Sequence, residues 1–298
     1  MKILVFDIGG TSIKYGVCTD HVLGEVKETP TQAKLGGRHI LDKITALIEQ
    51  ETDYDAIGIS TAGQVNSEKG SIIYANSNIP DYTGMELKKE LEENFRVPVA
   101  VENDVNAAAL GEAVYGAGKD FPSFLCLTYG TGVGGAIIEN KSVYHGSSFS
   151  AAEFGAIVTH SEDKINGSDF YDGCYERYAS TTGLIKMAQE YDPDLDSGRK
   201  IFARTEDPAI QQILNRWADE IMLGLSSLTH IFNPGCIILG GGIMTQPLIL
   251  DMIQARVAKF IMPSYAHVQI KLAALGNSAG LLGAGHLAAE ECRKTGKH

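Results

Sequence analysis

Residues 5–17 read Val5-Phe6-Asp7-Ile8-Gly9-Gly10-Thr11-Ser12-Ile13-Lys14-Tyr15-Gly16-Val17, and this stretch decides the fold. Lys2 to Phe6 is an apolar run with strand character, Gly9-Gly10 signals a turn, and Ser12 to Val17 returns as a second strand. Glycines in such a turn admit φ > 0 and let backbone N–H groups approach a phosphate. Asp7, just before the turn, is placed to hold a magnesium ion directly or through water. Gly-Gly alone marks an ordinary hairpin. Asp7 and Thr11 beside it, with a second turn of the same kind later, favour the phosphate reading.

The second turn is Gly130-Thr131-Gly132-Val133-Gly134-Gly135, between strands at Phe124 to Thr128 and Ala136 to Ile138. It contains the letters G-x-G-x-x-G, but a dinucleotide fingerprint must open a helix. Here a strand follows, so the Rossmann reading fails, and no P-loop motif occurs. Gly240-Gly241-Gly242 follows the buried run Cys236 to Leu239 and precedes a helix from Pro247 to about Phe260. One glycine there would be a tight connection; three suggest close approach of a flat ligand such as adenosine.

The rest of the chain alternates αβ. Ile40, Leu41, Ile44, Leu47 and Ile48 recur at helical spacing, as do Ile210, Leu214, Trp217, Ile221, Leu225 and Leu228. Ala56 to Ile59 and Val97 to Val101 are strands, and Met85 to Phe95 and Asn106 to Ala117 are helices. Gly116 to Pro122 is a boundary signal. Strand, glycine turn, strand opens each half, so the organisation is a duplication.

The 298 residues suffice for two domains. A net charge of −12 argues against nucleic-acid binding. Five scattered cysteines, Cys18, Cys126, Cys174, Cys236 and Cys292, read as reduced thiols of a cytoplasmic protein. No apolar stretch is long enough to span a bilayer, so no membrane role is expected. His145, His160 and His230 are isolated and form no metal-spaced cluster.

Three carboxylates stand out. Asp104 follows the strand at Val97 to Val101, where ligands gather in αβ sheets, but an Asp there is equally a helix N-cap. Asn103 offers a donor and an acceptor suited to a sugar hydroxyl. Glu153, in Ala151-Ala152-Glu153-Phe154-Gly155, sits among small and apolar residues, where a polyol would supply hydroxyl donors; a solvated loop is its plainer reading. Glu176 reads as a helical surface charge.

In this order, Asp7-Ile8-Gly9-Gly10-Thr11 with Lys14, Ser60-Thr61-Ala62-Gly63, Asn78-Ile79-Pro80, Glu102-Asn103-Asp104-Val105-Asn106, Gly130 to Gly135, Ala152-Glu153-Phe154-Gly155, Gly173-Cys174-Tyr175-Glu176 and Gly240 to Gly242 resemble the ROK family of sugar kinases, in the hexokinase/actin-like superfamily. The resemblance spans nearly the whole chain. It implies an α/β protein of two RNase H-like (actin-like ATPase) domains with mixed five-stranded sheets flanked by helices. Residues 1–118 plus 280–298 would form one domain and 119–279 the other, closing over ATP and a sugar.

The resemblance further implies that Asp104 is the catalytic base, and that Gly63, Asn78, Asn103, Glu153 and Glu176 bind the sugar. Gly9, Gly10, Thr11, Lys14, Thr131 and Gly132 would take phosphates, with Asp7 on Mg2+ and Gly240 to Gly242 on adenosine. A homodimer is implied too. Family members carry Gly-His and three cysteines that bind zinc; here Ala156 follows Gly155, and Gly167 and Asp169 occupy two cysteine positions, so no structural zinc is expected. In lacking that histidine the chain resembles subgroups that phosphorylate N-acetylmannosamine or β-glucosides, which argues against plain glucokinase activity; the acceptor expected is an N-acetylmannosamine or glucose-type hexose, phosphorylated at the 6-hydroxyl, with a β-glucoside as the alternative. A sugar-responsive transcriptional regulator is disfavoured because no DNA-binding segment precedes the first strand, and a polymerising ATPase because of the sugar-binding set.

Overall fold

The structure, a computed structural model, describes residues 1–294 and Gly296. It divides into two compact units: 1–119, 141–151 and 277 onward make the first, and 120–140 with 152–276 the second.

The first unit contains β1 (Lys2–Ile8), β2 (Ser12–Thr19), β3 (Val22–Leu23), β4 (Lys27–Pro30), β5 (Ala56–Thr61), β6 (Gln64–Asn66), β7 (Ser71–Tyr74) and β8 (Val99–Asn103). Its main sheet runs β3-β2-β1-β5-β8, with β4 also on β2. It has six strands rather than the expected five, because the polar edge segment Lys27–Pro30 also pairs. β1 is central, antiparallel to β2 and parallel to β5. Its residues Ile3, Leu4, Val5, Phe6 and Ile8 are buried on both faces, as a continuous apolar run requires.

α1 (Gly37–Ile48) and α2 (Leu87–Phe95) cover one face through Ile40, Leu41, Ile44, Ile48, Leu87 and Leu91. Each such side chain contributes roughly 1.5–3 kcal/mol over its exposed state. The C-terminal helix Ala279–Lys294 packs on the other face beside α3 (Asp104–Tyr115). Small residues bring these backbones together. A Cβ at Gly58, Gly111 or Gly283 would run into the carbonyl of Ala284, Ala279 or Ala107 respectively. This close seat fixes the helix that begins at Asp104.

In the second unit β9 (Phe124–Tyr129) pairs antiparallel with β10 (Val133–Glu139); β11 (Ser142–Val143), next along the chain, lies in the first unit. β12 (Cys236–Gly240) and β13 (Gln269–Leu272) extend the sheet in parallel, in the order β10-β9-β12-β13. The helices are α4 (Ser161–Asn166), α5 (Tyr175–Ala179), α6 (Thr181–Gln189), α7 (Gly198–Phe202), α8 (Pro208–Phe232), α9 (Pro247–Gln254) and α10 (Val257–Phe260). α8 starts with Asp207 accepting from the Ala209 N–H and Pro208 in the first turn, then buries Leu214, Trp217, Ile221 and Leu225. Where one helix was expected from Pro247 to Phe260 there are two, broken at Arg256, whose guanidinium is held by Asp219 and Asn215 of α8.

The stretch 141–151, expected in the second domain, belongs to the first unit. Lys141 Nζ donates to the carbonyls of Ala113, Gly118 and Lys119 at 2.9, 2.9 and 2.6 Å, at the C-terminal end of α3.

Candidate active site

The first turn is held from inside. The Gly9 N–H donates to the Ser12 carbonyl at 3.0 Å, the Thr31 hydroxyl donates to the Gly9 carbonyl at 2.6 Å, and the Thr31 N–H donates to the Thr11 carbonyl at 2.9 Å. Neither Gly9 nor Gly10 has positive φ, so the expectation that this turn needs the left-handed region is corrected. A Cβ at Gly9 would lie 3.3 Å from the Ser12 carbonyl, whereas one at Gly10 would meet nothing within 4 Å. Asp7 Oδ1 accepts the Ser60 hydroxyl at 2.6 Å, and Gly280 leaves room beside the same oxygen. Burial raises the Asp7 carboxyl above its ordinary value, opposed by Ser60 and by Lys14, its cross-strand partner.

At the end of β8 the cap role falls to Asn103 rather than Asp104. Asn103 is the cap: its Oδ1 accepts the N–H groups of Val105 and Asn106 at 3.0 and 3.1 Å. Asn103 Nδ2 donates to the Gly63 carbonyl and to Asp104 Oδ1, both at 2.9 Å. Asp104 is therefore the first helical residue, and α3 starts two residues earlier than its apolar pattern indicated. Desolvation pushes the Asp104 carboxyl up to about 6; the nearby Asp7 charge adds to this, and the bonds from Val105 and Asn103 oppose it. Asn103, expected to meet a hydroxyl, spends its amide on the cap, on Gly63 and on Asp104. Gly63 has φ +99, and a Cβ there would lie 2.9 Å from the Tyr74 carbonyl. Asn78 is exposed, with its N–H on Asn76 Oδ1 at 3.0 Å.

In the second unit the Gly130 N–H donates to the Gly132 carbonyl and the Thr181 N–H to the Gly130 carbonyl, both at 3.0 Å. Thr131 is exposed at the tip. No residue of this turn has positive φ. Gly132 is required by space: a Cβ would lie 2.5 Å from Glu176 Oε2, which accepts the Val133 N–H at 3.4 Å. Glu176 is thus no surface charge. Burial raises its carboxyl, with Glu153 adding to the effect. Glu153 is exposed, so the idea that apolar surroundings force a partner on it does not hold. Of the third glycine run, only Gly241 needs the left-handed region, with φ +101 beneath the Tyr129 carbonyl; Gly240 is buried, and Gly241 and Gly242 are exposed.

Thr31, Ser60 and Thr181 buttress these turns, and Glu102 and His145 lie behind Asn103. Only Ser60 and Glu102 stood within a recognisable motif; the others depend on long-range contacts. Among the described residues no group of three or more His, Cys, Asp or Glu is placed to hold a metal. Where the zinc motif would stand, Lys164 Nζ lies 3.8 Å from Cys174 Sγ and donates to the Phe170 carbonyl. No helix among the described residues is long and apolar enough to cross a membrane.

The ROK family model matches residues 3–291. A beta-glucoside kinase of Listeria innocua is 35% identical, over 95% of this chain and 96% of its own. Two solved structures are also similar. A Listeria monocytogenes protein with a suggested N-acetylmannosamine kinase role has a TM-score of 0.88 at 30% identity and full coverage of both chains. A glucokinase of Streptomyces griseus, in complex with glucose and AMPPNP, has a TM-score of 0.82 at 31% identity, covering 97% of this chain and 100% of its own. Fold, paired glycine turns and relatives define an ATP-dependent carbohydrate kinase. The chain belongs to the ROK family.

Proposed function

We propose that the chain transfers the γ-phosphoryl group of ATP to the 6-hydroxyl of an N-acetylmannosamine- or glucose-type hexose, with Asp104 as base. The observation that carries this is the division of labour at the β8 end: Asn103 caps α3, which leaves the Asp104 carboxylate available. The hydroxyl oxygen attacks the γ-phosphorus as the bond to the β–γ bridging oxygen breaks. ADP leaves, and the hydroxyl proton passes to Asp104. A base whose pKa approaches the working pH suits this transfer, and Asn103 Nδ2 orients it. Most of the catalysis is positioning and charge neutralisation.

In this reading Gly9, Gly10, Thr11, Lys14, Thr131 and Gly132 receive phosphates and Gly240 to Gly242 the adenosine. Gly63, Asn78, Glu153 and Glu176 meet sugar hydroxyls, while Asn103 acts by holding Asp104. Asp7 fits Mg2+ held through water: it is a hard oxygen donor in a desolvated place, and its charge raises Asp104, which a cation beside it would offset. The ion would neutralise charge on the phosphates. A homodimer, which the family resemblance supports, and a cytoplasmic setting, which five buried cysteines outside any disulfide support, complete the proposal.

A second reading, a β-glucoside acceptor, is favoured by Ala156, a small side chain in the 3-10 turn after Glu153, and by the beta-glucoside kinase relative. ADP release with Mg-ATP and glucose, N-acetylmannosamine or a β-linked glucose disaccharide tests both. No release with any hexose overturns the proposal; release with the disaccharide alone selects the second reading.

A further inference from the structure

Glu102 is 1% exposed, and the proposed chemistry does not use its carboxylate. Its oxygens are divided. Oε1 accepts the Asn103 backbone N–H at 2.8 Å and Asn106 Nδ2 at 3.1 Å; Oε2 accepts from His145 Nε2 at 2.7 Å. Ser67 Oγ lies 3.1 Å from the same nitrogen, and the Phe149 ring packs 5.7 Å from the imidazole.

His145 lies on the strap 141–151, whose other anchor is Lys141. The strap therefore grips α3 at both ends. An ammonium sits on carbonyls at the C-terminal end, where positive charge is favoured, and an imidazole on the carboxylate just before the N-terminal end. The strap and its flanks are conformationally constrained. Asn140, Lys141, Phe149 and Ala152 have φ of 51, 64, 60 and 68°. Such backbone persists only where the surroundings over-determine it.

A buried ion pair adds little stability compared with an apolar replacement. What distinguishes this one is its place: hydrogen bonds run unbroken from His145 through Glu102 and Asn103 to Asp104 Oδ1. We propose that Glu102 and His145 are positioning residues for the acceptor half of the reaction, fixing the orientation of Asn103 and Asp104 and fastening the strap. This rests on the reading of Asp104 as base. Misplacing a reacting group by about 1 Å can cost about 100-fold in rate.

The test uses the full chain with Mg-ATP and its best sugar. His145→Phe should lower kcat/KM for the sugar roughly 10- to 100-fold, mainly in kcat, with KM for ATP within about twofold. His145→Gln, which keeps a donor, should recover most of the loss. Amide exchange over 144–150 should quicken in the Phe variant only. A lower melting temperature with sugar kcat/KM within about twofold overturns the inference, as does a loss carried by a rise in KM for ATP with kcat unchanged. If His145→Phe does not fold, Glu102→Gln must show the same split, and its absence overturns the inference. Full activity of Asp104→Asn is a separate outcome that removes the underlying reading instead.

Discussion

Asp104→Asn should make the protein more stable while removing its activity. The carboxyl sits at about 6 instead of the ordinary 3.8, a difference of at most about 3 kcal/mol. Part of the side chain stays open to water, so screening reduces this to about 1–2 kcal/mol. The sign follows from linkage. A carboxyl whose proton is held more tightly in the folded chain stabilises the fold below its ordinary value, and that contribution is lost as pH rises through about 6. Above that pH the folded chain bears the cost of the ionised form, and Asn does not. Asn keeps an acceptor for the Val105 and Asn103 bonds. In metal-free buffer at pH 7.5, thermal unfolding of Asp104→Asn should lie about 2–6 °C above the parent. The gap should shrink as pH falls towards 4, and kcat should fall about 10²–10⁴-fold. An Asn variant no more stable at pH 7.5, or a gap independent of pH, would refute the claim that this carboxylate is desolvated.

Other expectations follow from the same geometry. Sugar kcat/KM should fall as pH drops from 7 to 5, because desolvation holds the Asp104 carboxyl above its ordinary value, where an unshifted carboxyl would lose almost nothing. Gly10→Ala meets no neighbour and should leave the melting temperature unchanged while raising KM for ATP about tenfold or more; an unchanged KM removes the first turn from the phosphate site. Gly283→Ala, driven into the Ala107 carbonyl, should lower stability by about 2–4 kcal/mol in denaturant unfolding. His145 is pulled down by burial but raised overall by the Glu102 hydrogen bond and by the charges of Glu102 and Glu68. The clasp is therefore fully present below the ordinary histidine value and is lost as pH rises through the raised one, so amide protection over 144–150, corrected for intrinsic exchange, should decline in that direction.

Much of this was legible in the sequence for physical reasons. β1 is a continuous apolar run because both faces are covered, and the chain after Gly135 returns as a strand because Ala136-Ile137-Ile138 precedes a turn. The start of α3 was not, because Asn103 and Asp104 are both good caps and only the three-dimensional bond to Gly63 selects one. The reason for glycine was less legible: at Gly132 and Gly135 it is space set by Glu176 and Phe154, distant in sequence, while among Gly240 to Gly242 only Gly241 takes positive φ. The Glu102–His145 pair joins residues 43 apart, and nothing in local pattern announces it.

The reaction proposed for this chain is transfer of phosphate to a sugar under control of Asp104. Phosphorus NMR of the reaction with ATP, magnesium and the best acceptor tests it directly. One sugar 6-phosphomonoester should form in equal amount with ADP, and none at a comparable rate from Asp104→Asn. ADP with inorganic phosphate alone, or the same ester formed at full rate by the variant, would contradict it.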